Sequence, residues 1–438
     1  MGLVRGPTDS TAMKITFICA VFPPEPAPTG VMAEQLATRL VQDGHEVTMI
    51  VPFPNRPAGV LFPGFRRRLR SRSDSQEGYG VVRCANWLIG KKRKSIDRLL
   101  ENITFGLSST WATLREGRPD LMIIESWALF APALSAMLAR FWGVPYLYYV
   151  KDLFPEAAEQ AGLLNPTGRL ARTLRSWDRS LCMHSAATIV ISETMGELLA
   201  RNRHLPPEVV TVIPDWIDQS AFPVWKGDNA WRTSMGISED TFVAMYAGTL
   251  GHVSGAEVLV EVARILRDER KILILCIGEG VRKEGMIETA SQLGLDNIRF
   301  LPFQPAERVP EMQASCQVAL LTVHPSHSDS SVPSKLISYL AASRPVICAA
   351  NPDSTVCKVV SAACAGLVVG AGDAGAIAEG ILQLMRDPQR QHQLGTEARR
   401  YFETHFTLER AHSQFRALIT EAVSPLGRTP MASAEIGL

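Results

Sequence analysis

Three charged residues, Lys151, Asp152 and Glu156, stand together directly after the apolar run 146–150 of this chain. A carboxylate at the end of a buried strand can orient a bound hydroxyl or accept its proton, which is general-base chemistry. We therefore predict a catalytic role for Asp152, with Lys151 and Glu156 in support. A structural salt-bridge cluster explains the same three residues equally well.

A second set of residues is typical of an anion-binding site, because it combines glycine turns with a lysine at a helix start. Glycine allows close backbone approach, and the free amides of a helix start favour anions. We predict a helix that begins near Pro333 with Ser331 as its N-cap. Its amides and the Lys335 ammonium then suit a diphosphate. The candidate anion-binding residues are Gly30, Gly248, Thr249, Gly251, His252, Gly278, Arg282, Ser330, Ser331, Pro333, Ser334 and Lys335.

Two of these candidates also have an ordinary structural explanation. Gly30 lies in the proline-rich stretch 23–30, which can be a simple turn before a helix. Arg282 follows a glycine turn, where a charged residue can be part of a solvated helix start. The pattern alone leaves both explanations open at each position.

The segment 61–100 is strongly basic, with eleven Lys or Arg residues, three acidic residues and a net charge of +8. Apolar residues such as Phe62, Phe65 and Leu69 are interleaved with the charges. Each basic residue near an anionic leaflet contributes about 1 kcal/mol, so we predict contact with a membrane surface. A solvated loop or a nucleic-acid patch are the alternatives. The predicted membrane patch contains Arg66, Arg67, Arg68, Arg70, Lys91, Lys92, Arg93 and Lys94.

The elements that must position these residues form two α/β domains. The chain has 438 residues, and a single core stops growing at roughly 250–300 residues. Apolar runs alternate with helical patterns, which predicts doubly wound parallel sheets whose ligands bind beyond the carboxyl ends of the strands. We predict a disordered extension over 1–12, domains over 13–218 and 219–405, and a C-terminal helix and tail over 406–438. The last helical stretch, over roughly 388–422, is predicted to be long and amphipathic.

Composition excludes several classes of protein. With 45 basic and 44 acidic residues, the chain is not a globally basic nucleic-acid binder. No apolar stretch reaches the roughly 18 residues of a membrane span. The eight cysteines form no Cys-x-x-Cys pair, which predicts reduced, mostly buried thiols in a cytosolic protein. No cluster has metal-ligand spacing, so we expect no metal cofactor.

Five segments match the signature motifs of one enzyme family. They are the run VPSKLISYLAASRPV at 332–346, KDLFPE at 151–156, IPDWID at 213–218, GHEV at 44–47 and FPPE at 22–25. With these motifs, the chain resembles the family 4 retaining glycosyltransferases of the GT-B fold. Within that family it is most similar to bacterial enzymes of O-antigen, colanic acid and exopolysaccharide assembly that transfer fucosamine or fucose.

The resemblance implies two Rossmann-like domains that face a cleft, with a C-terminal helix returning toward the N-terminal domain. It implies that the C-terminal domain binds a UDP- or GDP-linked sugar and that the N-terminal domain binds a lipid-linked saccharide. The work would be lipopolysaccharide or exopolysaccharide synthesis by a cytoplasmic enzyme, peripheral at the inner face of the plasma membrane. Front-face displacement needs no protein nucleophile, so groups that stabilise the leaving diphosphate supply most of the catalysis.

The chain departs from the family pattern at several positions. The two glutamates that many members carry eight positions apart fall on Ser330 and Ser338. Thr249 and Ser254 replace the usual Arg and Lys of the glycine-rich loop, and Lys151 replaces a His.

Diphosphate binding is therefore expected to depend more on Lys335, on helix amides and on Arg282. Two other functions stay open at this point. One is a non-catalytic GT-B partner or scaffold at the membrane, and the other is a GT-B sugar-nucleotide epimerase.

Overall fold

The chain forms two compact units in the computed structural model, which describes residues 12–55, 59–88, 95–127, 129–160, 162, 164–225, 229–326 and 332–424. The first unit contains the described residues as far as Ile213 and again from His412 onward. The second unit is Pro214–Ala411. The described residues from 412 to 424 thus belong to the first unit, as the predicted return of the C-terminal helix requires.

The first unit is built on an eight-stranded sheet. In chain order, β1 to β8 are Lys14–Ile18, Glu46–Pro52, Arg70–Asp74, Gly80–Cys84, Leu121–Glu125, Tyr146–Val150, Ala187–Val190 and Val210–Val212. Their order in space is β3-β4-β2-β1-β5-β6-β7-β8, and all neighbours are parallel except β3 and β4. The central strands are mostly apolar and buried, because helices cover a parallel sheet on both faces.

Six helices follow these strands within the first unit. They are α1 Pro28–Gln42, α2 Ser95–Glu116, α3 Phe130–Trp142, α4 Glu156–Gln160, α5 Arg169–His184 and α6 Glu193–Arg203. Right-handed crossovers place α2, α3 and α5 on one face of the sheet and α1 on the other, because β1 to β2 runs in the opposite direction across the sheet.

The second unit has a six-stranded, entirely parallel sheet in the order β11-β10-β9-β12-β13-β14. Its strands β9 to β14 are Phe242–Ala247, Ile272–Ile277, Ile298–Leu301, Val318–Thr322, Val346–Ala349 and Gly366–Val369. Helices α7 to α14 are Ala230–Ser234, Val258–Ile265, Lys283–Gln292, Val309–Ala314, Ser334–Ala341, Thr355–Ala362, Ala374–Arg386 and Pro388–His405. Alternate residues of β13 enter two different core clusters, so both faces are covered. The two Rossmann-like sheets confirm the predicted fold class.

The predicted helical stretch over 388–422 consists of two helices. The first, α14, ends at His405, and α15 is Leu408–Val423. Between them the backbone pairs with Ile217, whose amide donates to Phe406 O at 2.9 Å and whose carbonyl accepts from Leu408 N at 3.2 Å. These non-local bonds take the backbone groups that would otherwise continue the helix.

No helix in the described part of the chain is long and apolar enough to cross a membrane. All eight cysteines are free thiols, and seven of them are buried.

Candidate functional site

Two glycine-containing loops, after β9 and after β10, lie directly against each other. The Gly248 amide donates to Ile277 O at 2.9 Å. A Cβ on Gly278 would lie 1.9 Å from Gly248 O, and a Cβ on Gly280 would lie 2.2 Å from Leu250 O. Both glycines also have φ near +155°, at 152° and 156°. Only glycine fits this approach, so the glycines fix the two loops as one block.

The Lys335 ammonium lies beside the first of these loops. Its Nζ donates to the Tyr246 hydroxyl at 2.8 Å, and that hydroxyl donates to the Thr249 carbonyl at 2.9 Å. A Cβ on Gly248 would be 3.4 Å from Nζ. Tyr246 is the ammonium's one hydrogen-bond partner among the residues that the structure describes. Two of the three N–H groups of Lys335 therefore remain for an anion.

The helix start beside this lysine differs from the predicted one. Helix α11 begins at Ser334 with Pro333 at the cap position, so the prediction of Ser331 as N-cap is wrong. Ser330 and Ser331 lie outside the described residues. The first amides of a helix have no intrahelical acceptor and carry the positive end of its dipole. The Ser334 and Lys335 amides thus belong to the same turn as the lysine ammonium.

Tyr246 and Tyr339 were not singled out from the sequence, yet they hold the lysine and the loop. The Ala247 amide donates to the Tyr339 hydroxyl at 2.8 Å, which ties α11 to the end of β9. A hydroxyl within an otherwise apolar strand end was the signal available for Tyr246. Ser338 is buried, accepts a hydrogen bond from Gln313 at 2.9 Å and donates to Lys335 O at 2.9 Å.

Arg282 already has a partner in this structure. Its Nε lies 3.0 Å from Oε1 of Glu257 in a half-exposed ion pair. Any anion would have to share the guanidinium with that carboxylate. Thr249 and His252 are exposed on the loop after β9, and Gly251 lies between them. The binding roles of these residues stay predictions.

In the first unit, Lys151 and Asp152 directly follow β6. Lys151 is buried, its amide donates to Ser126 Oγ at 3.0 Å, and its Nζ lies 4.3 Å from the centre of the Tyr149 ring. Phe415 of α15 also contacts the Tyr149 ring in an edge-to-face arrangement, with the ring centres 5.3 Å apart. Asp152 is exposed. The geometry therefore presents the carboxylate at the surface.

Glu156 has both carboxylate oxygens bound by Arg203, at 2.7 and 2.8 Å. The same guanidinium donates from Nε to Asp178 at 2.7 Å and from Nη2 to the Phe154 carbonyl at 3.0 Å. Tyr148 donates to the other oxygen of Asp178 at 3.0 Å. This is the salt-bridge cluster that the sequence left open as an alternative. Glu156 is therefore a positioning residue, which holds the loop in place through its salt bridge with Arg203.

The pKa values follow from this arrangement. Burial raises the pKa of Glu156, but the hydrogen bonds and charge of Arg203 outweigh burial and lower that pKa to about 2. For Asp178, burial dominates and the pKa is raised, although Arg203 acts in the opposite direction.

Gly30 lies buried in the first turn of α1. Its amide donates to Ala27 O at 3.0 Å, and a Cβ would lie 3.2 Å from Phe22 Cα. Close packing of the helix start thus accounts for the glycine. Its predicted role in anion binding stays a prediction.

The basic segment is only partly available for a membrane. Arg66, Arg67 and Arg68 are exposed, whereas Arg70 is bound by Glu116 of α2. Lys91, Lys92, Arg93 and Lys94 lie outside the described residues. Including Arg70 in an exposed cationic patch is therefore wrong, because this arginine is half-buried and paired with Glu116.

A pocket of about 430 Å³ adjoins the exposed arginines. Its walls include Arg67 and Arg68 together with Leu69 and Trp87. Both polar atoms of the Asn86 amide are buried there without a hydrogen-bond partner among the described residues. The pocket combines positive charge, apolar walls and unused hydrogen-bonding capacity.

No group of three or more His, Cys, Asp or Glu side chains that could hold a metal ion occurs in the described ranges.

Comparisons with known proteins give the class of the protein. A family model described as a glycosyl transferase 4-like domain matches residues 29–216, and one described as glycosyl transferases group 1 matches residues 228–401. The chain therefore belongs to the glycosyltransferases of the GT-B fold.

Individual relatives are distant. WcaI of Escherichia coli (strain K12), whose name assigns it to colanic acid biosynthesis as a glycosyl transferase, is 26% identical over 75% of this chain and 81% of its own length. A D-inositol 3-phosphate glycosyltransferase of Streptomyces scabiei (strain 87.22) is 25% identical over 55% of each chain. The structure of Anabaena HepE in complex with UDP-glucose has a TM-score of 0.66 at 16% identity, covering 93% of this chain and 99% of HepE.

Proposed function

We propose that this protein transfers a sugar, with retention, from a nucleotide-diphosphate sugar to a lipid-linked saccharide during synthesis of a bacterial surface polysaccharide. One observation supports the donor half of this proposal. The Lys335 ammonium, in the first turn of α11, lies beside Gly248 and is held by a hydrogen bond to Tyr246. The name of WcaI supports the pathway, and the UDP-glucose bound by HepE supports the donor class.

The chemistry of the donor explains why this arrangement is suitable. When the glycosidic bond to the diphosphate breaks, negative charge develops on the leaving oxygens. An ammonium and helix amides that are already oriented stabilise this charge without reorganising. Tyr246 supplies the orientation, because it fixes Nζ before any ligand arrives.

The acceptor half of the proposal is supported by two features of the first unit. Asp152 is an exposed carboxylate directly after β6, and it is our candidate to orient the acceptor hydroxyl or accept its proton. The pocket beside Arg67 and Arg68 suits an anionic group that carries an apolar chain. A lipid-linked (di)phosphate has both properties.

Calorimetric titration with UDP, GDP and ADP tests the donor site. A charge-assisted hydrogen bond contributes about 1.5–3 kcal/mol, so Lys335→Ala should weaken binding of the preferred nucleotide by about ten- to hundred-fold. Lys271→Ala is the matched control, because this exposed lysine directly precedes β10. It therefore lies at the amino end of that strand, whereas the candidate site follows the carboxyl ends of β9 and β10. Unchanged affinity in a folded Lys335→Ala variant would exclude the assignment, as would the absence of any nucleotide binding by the wild type.

One observation favours a second candidate function. Ser338 stands where the family resemblance places a glutamate, and its hydroxyl is already hydrogen-bonded to Gln313 and to Lys335 O. The missing carboxylate suits a non-catalytic GT-B partner. Nuclear magnetic resonance of the donor separates the three functions. Transfer consumes donor only with acceptor and keeps the anomeric configuration, whereas an epimerase converts donor alone. A scaffold binds the nucleotide and consumes no donor.

A further inference from the structure

Helix α2 has an exposed apolar stripe in addition to its buried face. Leu107, Trp111 and Leu114 recur at helical spacing and are 57%, 41% and 50% exposed. The buried face of the same helix is formed by other residues, including Phe105 and Ala112. The stripe is therefore apolar surface that the fold of the described residues does not use.

The two helices beside α2 continue this apolar surface. Helix α3 packs on α2 so closely that a Cβ on Gly106 would lie 3.0 Å from Ala131 Cα, and α3 in turn contacts α5. Met137 and Phe141 of α3 are 65% and 84% exposed, and Leu170 and Trp177 of α5 are 60% and 50% exposed. We call the exposed side of α2, α3 and α5 the helical face.

The exposed charges on the three helices of the helical face have one sign. Four exposed arginines accompany the apolar residues, namely Arg115, Arg140, Arg169 and Arg172, while in the loop after α2 an exposed arginine, Arg118, is close in sequence to an exposed acid, Asp120. No acidic residue of α2, α3 or α5 is exposed in the described structure. The half-buried acids of these helices already have partners: Glu116 is bound by Arg70 and Arg72, and Asp97 accepts a hydrogen bond from Trp87 Nε1 at 3.2 Å. Asp178 is buried and bound by Arg203.

An anionic bilayer surface fits this combination better than a second copy of the chain. A symmetric dimer through the helical face would bring the same arginines opposite each other, with no exposed acid on these helices to pair with them. Lipid phosphates complement the arginines, while Trp, Phe, Met and Leu side chains enter the interface. The Arg115 guanidinium, 5.2 Å from the centre of the Trp111 ring, can stay at the phosphate level while the ring is buried.

We propose that the helical face is the surface by which this protein docks on anionic membranes, with the large side chains of α2, α3 and α5 as interfacial anchors. This inference deepens the proposed function, because it gives the enzyme access to a lipid-linked acceptor. Docking itself needs neither donor nor acceptor. Vesicle binding can therefore fail while nucleotide binding and transfer to a water-soluble acceptor persist, and the reverse also holds.

The test is co-sedimentation of the full chain with phosphatidylcholine vesicles that contain or lack phosphatidylglycerol. The triple variant Leu107→Ser/Trp111→Ser/Phe141→Ser should reduce binding to the anionic vesicles by at least about tenfold. The matched control, Ile265→Ser/Ile287→Ser/Leu293→Ser, changes three similarly exposed apolar residues of the second unit and should bind like the wild type. Circular dichroism and nucleotide affinity establish that each variant is folded.

A second measurement reports insertion directly. Brominated lipids should quench wild-type tryptophan emission, and Trp111→Leu/Trp177→Leu should bind vesicles normally but lose much of this quenching, since leucine keeps the surface apolar. The proposal is overturned if the wild type ignores anionic vesicles or if the triple serine variant binds as well as the wild type. It is also overturned if sedimentation velocity shows a lipid-free dimer that this variant converts to a monomer.

Discussion

Arg203 offers the sharpest test of the structure, because one buried guanidinium holds together two carboxylates and a backbone carbonyl. It is 1% exposed and donates two hydrogen bonds to Glu156, one to Asp178 and one to Phe154 O. In Arg203→Met the side chain keeps its approximate volume and loses its charge. The two buried carboxylates then lose the guanidinium that they share, and Arg175, whose Nε lies 3.5 Å from Glu156 Oε1, remains beside one of them.

Removing one partner of a buried ion pair costs about 3–5 kcal/mol. Part of the network survives the change, since Asn202 still donates to Glu156 at 3.0 Å and Tyr148 to Asp178 at 3.0 Å. We therefore expect a loss near the lower limit, about 3 kcal/mol in the unfolding free energy of the first unit. For a unit of this size, about 2–4 °C per kcal/mol lowers the Tm by about 6–12 °C.

The measurement is thermal and urea unfolding followed by circular dichroism, with separate transitions assigned to the two units. Arg201→Met, an exposed arginine on the same helix, is the control and should stay within about 0.5 kcal/mol of the wild type. The double variant Arg203→Met/Glu156→Gln should recover part of the loss, because it removes one unpaired charge. A loss below about 1 kcal/mol in Arg203→Met would refute the reasoning.

The same network predicts a pH dependence with a definite sign. The pKa of Glu156 is lowered from 4.5 to about 2, so its ionised form stabilises the fold fully above about pH 4.5. That contribution is lost as the pH falls toward 2. The difference in unfolding free energy between the wild type and Glu156→Gln should therefore be largest near neutral pH and shrink below pH 4.5. Asp178, with its raised pKa, acts in the opposite sense in both proteins.

Three further predictions concern the loops and the basic segment. Asp152→Asn should lower turnover by about 10²–10⁴ and leave nucleotide affinity unchanged; a change below about threefold in a transfer assay would make Asp152 structural. Gly280→Ala should weaken nucleotide binding and lower the Tm, because its methyl group meets Leu250 O. The control Gly285→Ala on α9 meets nothing within 4 Å, so it should leave nucleotide binding unchanged and raise the Tm slightly, because alanine favours a helix. Replacing the arginines at 66–68 with Ser should weaken vesicle binding at low salt more than at high salt, and equal loss at both would contradict an electrostatic role.

The sequence predicted most of the two sheets because parallel strands are continuous apolar runs. The first unit's edge strand β3, Arg70–Asp74, escaped this criterion, since its residues RSRSD are polar and largely exposed. An antiparallel edge strand needs no apolar face of its own when it pairs with β4. The position of the break between α14 and α15 could not be predicted from local sequence, because it depends on hydrogen bonds with Ile217, which is distant in the chain.

The candidate site could be predicted only to the level of its loops. Local spacing placed Lys335 at a helix start and glycines after β9 and β10, and the structure brings these together. It could not reveal that Arg282 pairs with Glu257 or that Glu156 is taken by Arg203, because such pairs join distant segments. The exposure of Leu107 and Trp111 could not be predicted either, because an exposed apolar stripe has the same spacing as a core-facing one.

The contacts of Phe415 with Tyr149 and of Tyr149 with Lys151 have a practical consequence for anyone who wishes to divide this enzyme into parts. Helix α15 supports the Lys151–Asp152 loop through Phe415, and its His412 also binds Asp43 of the loop after α1 at 2.7 Å. An N-terminal fragment that stops at residue 213 lacks this support, even though it contains every strand of its sheet. Swapping N-terminal domains between related enzymes should therefore carry residues 412–424 along with residues 12–213.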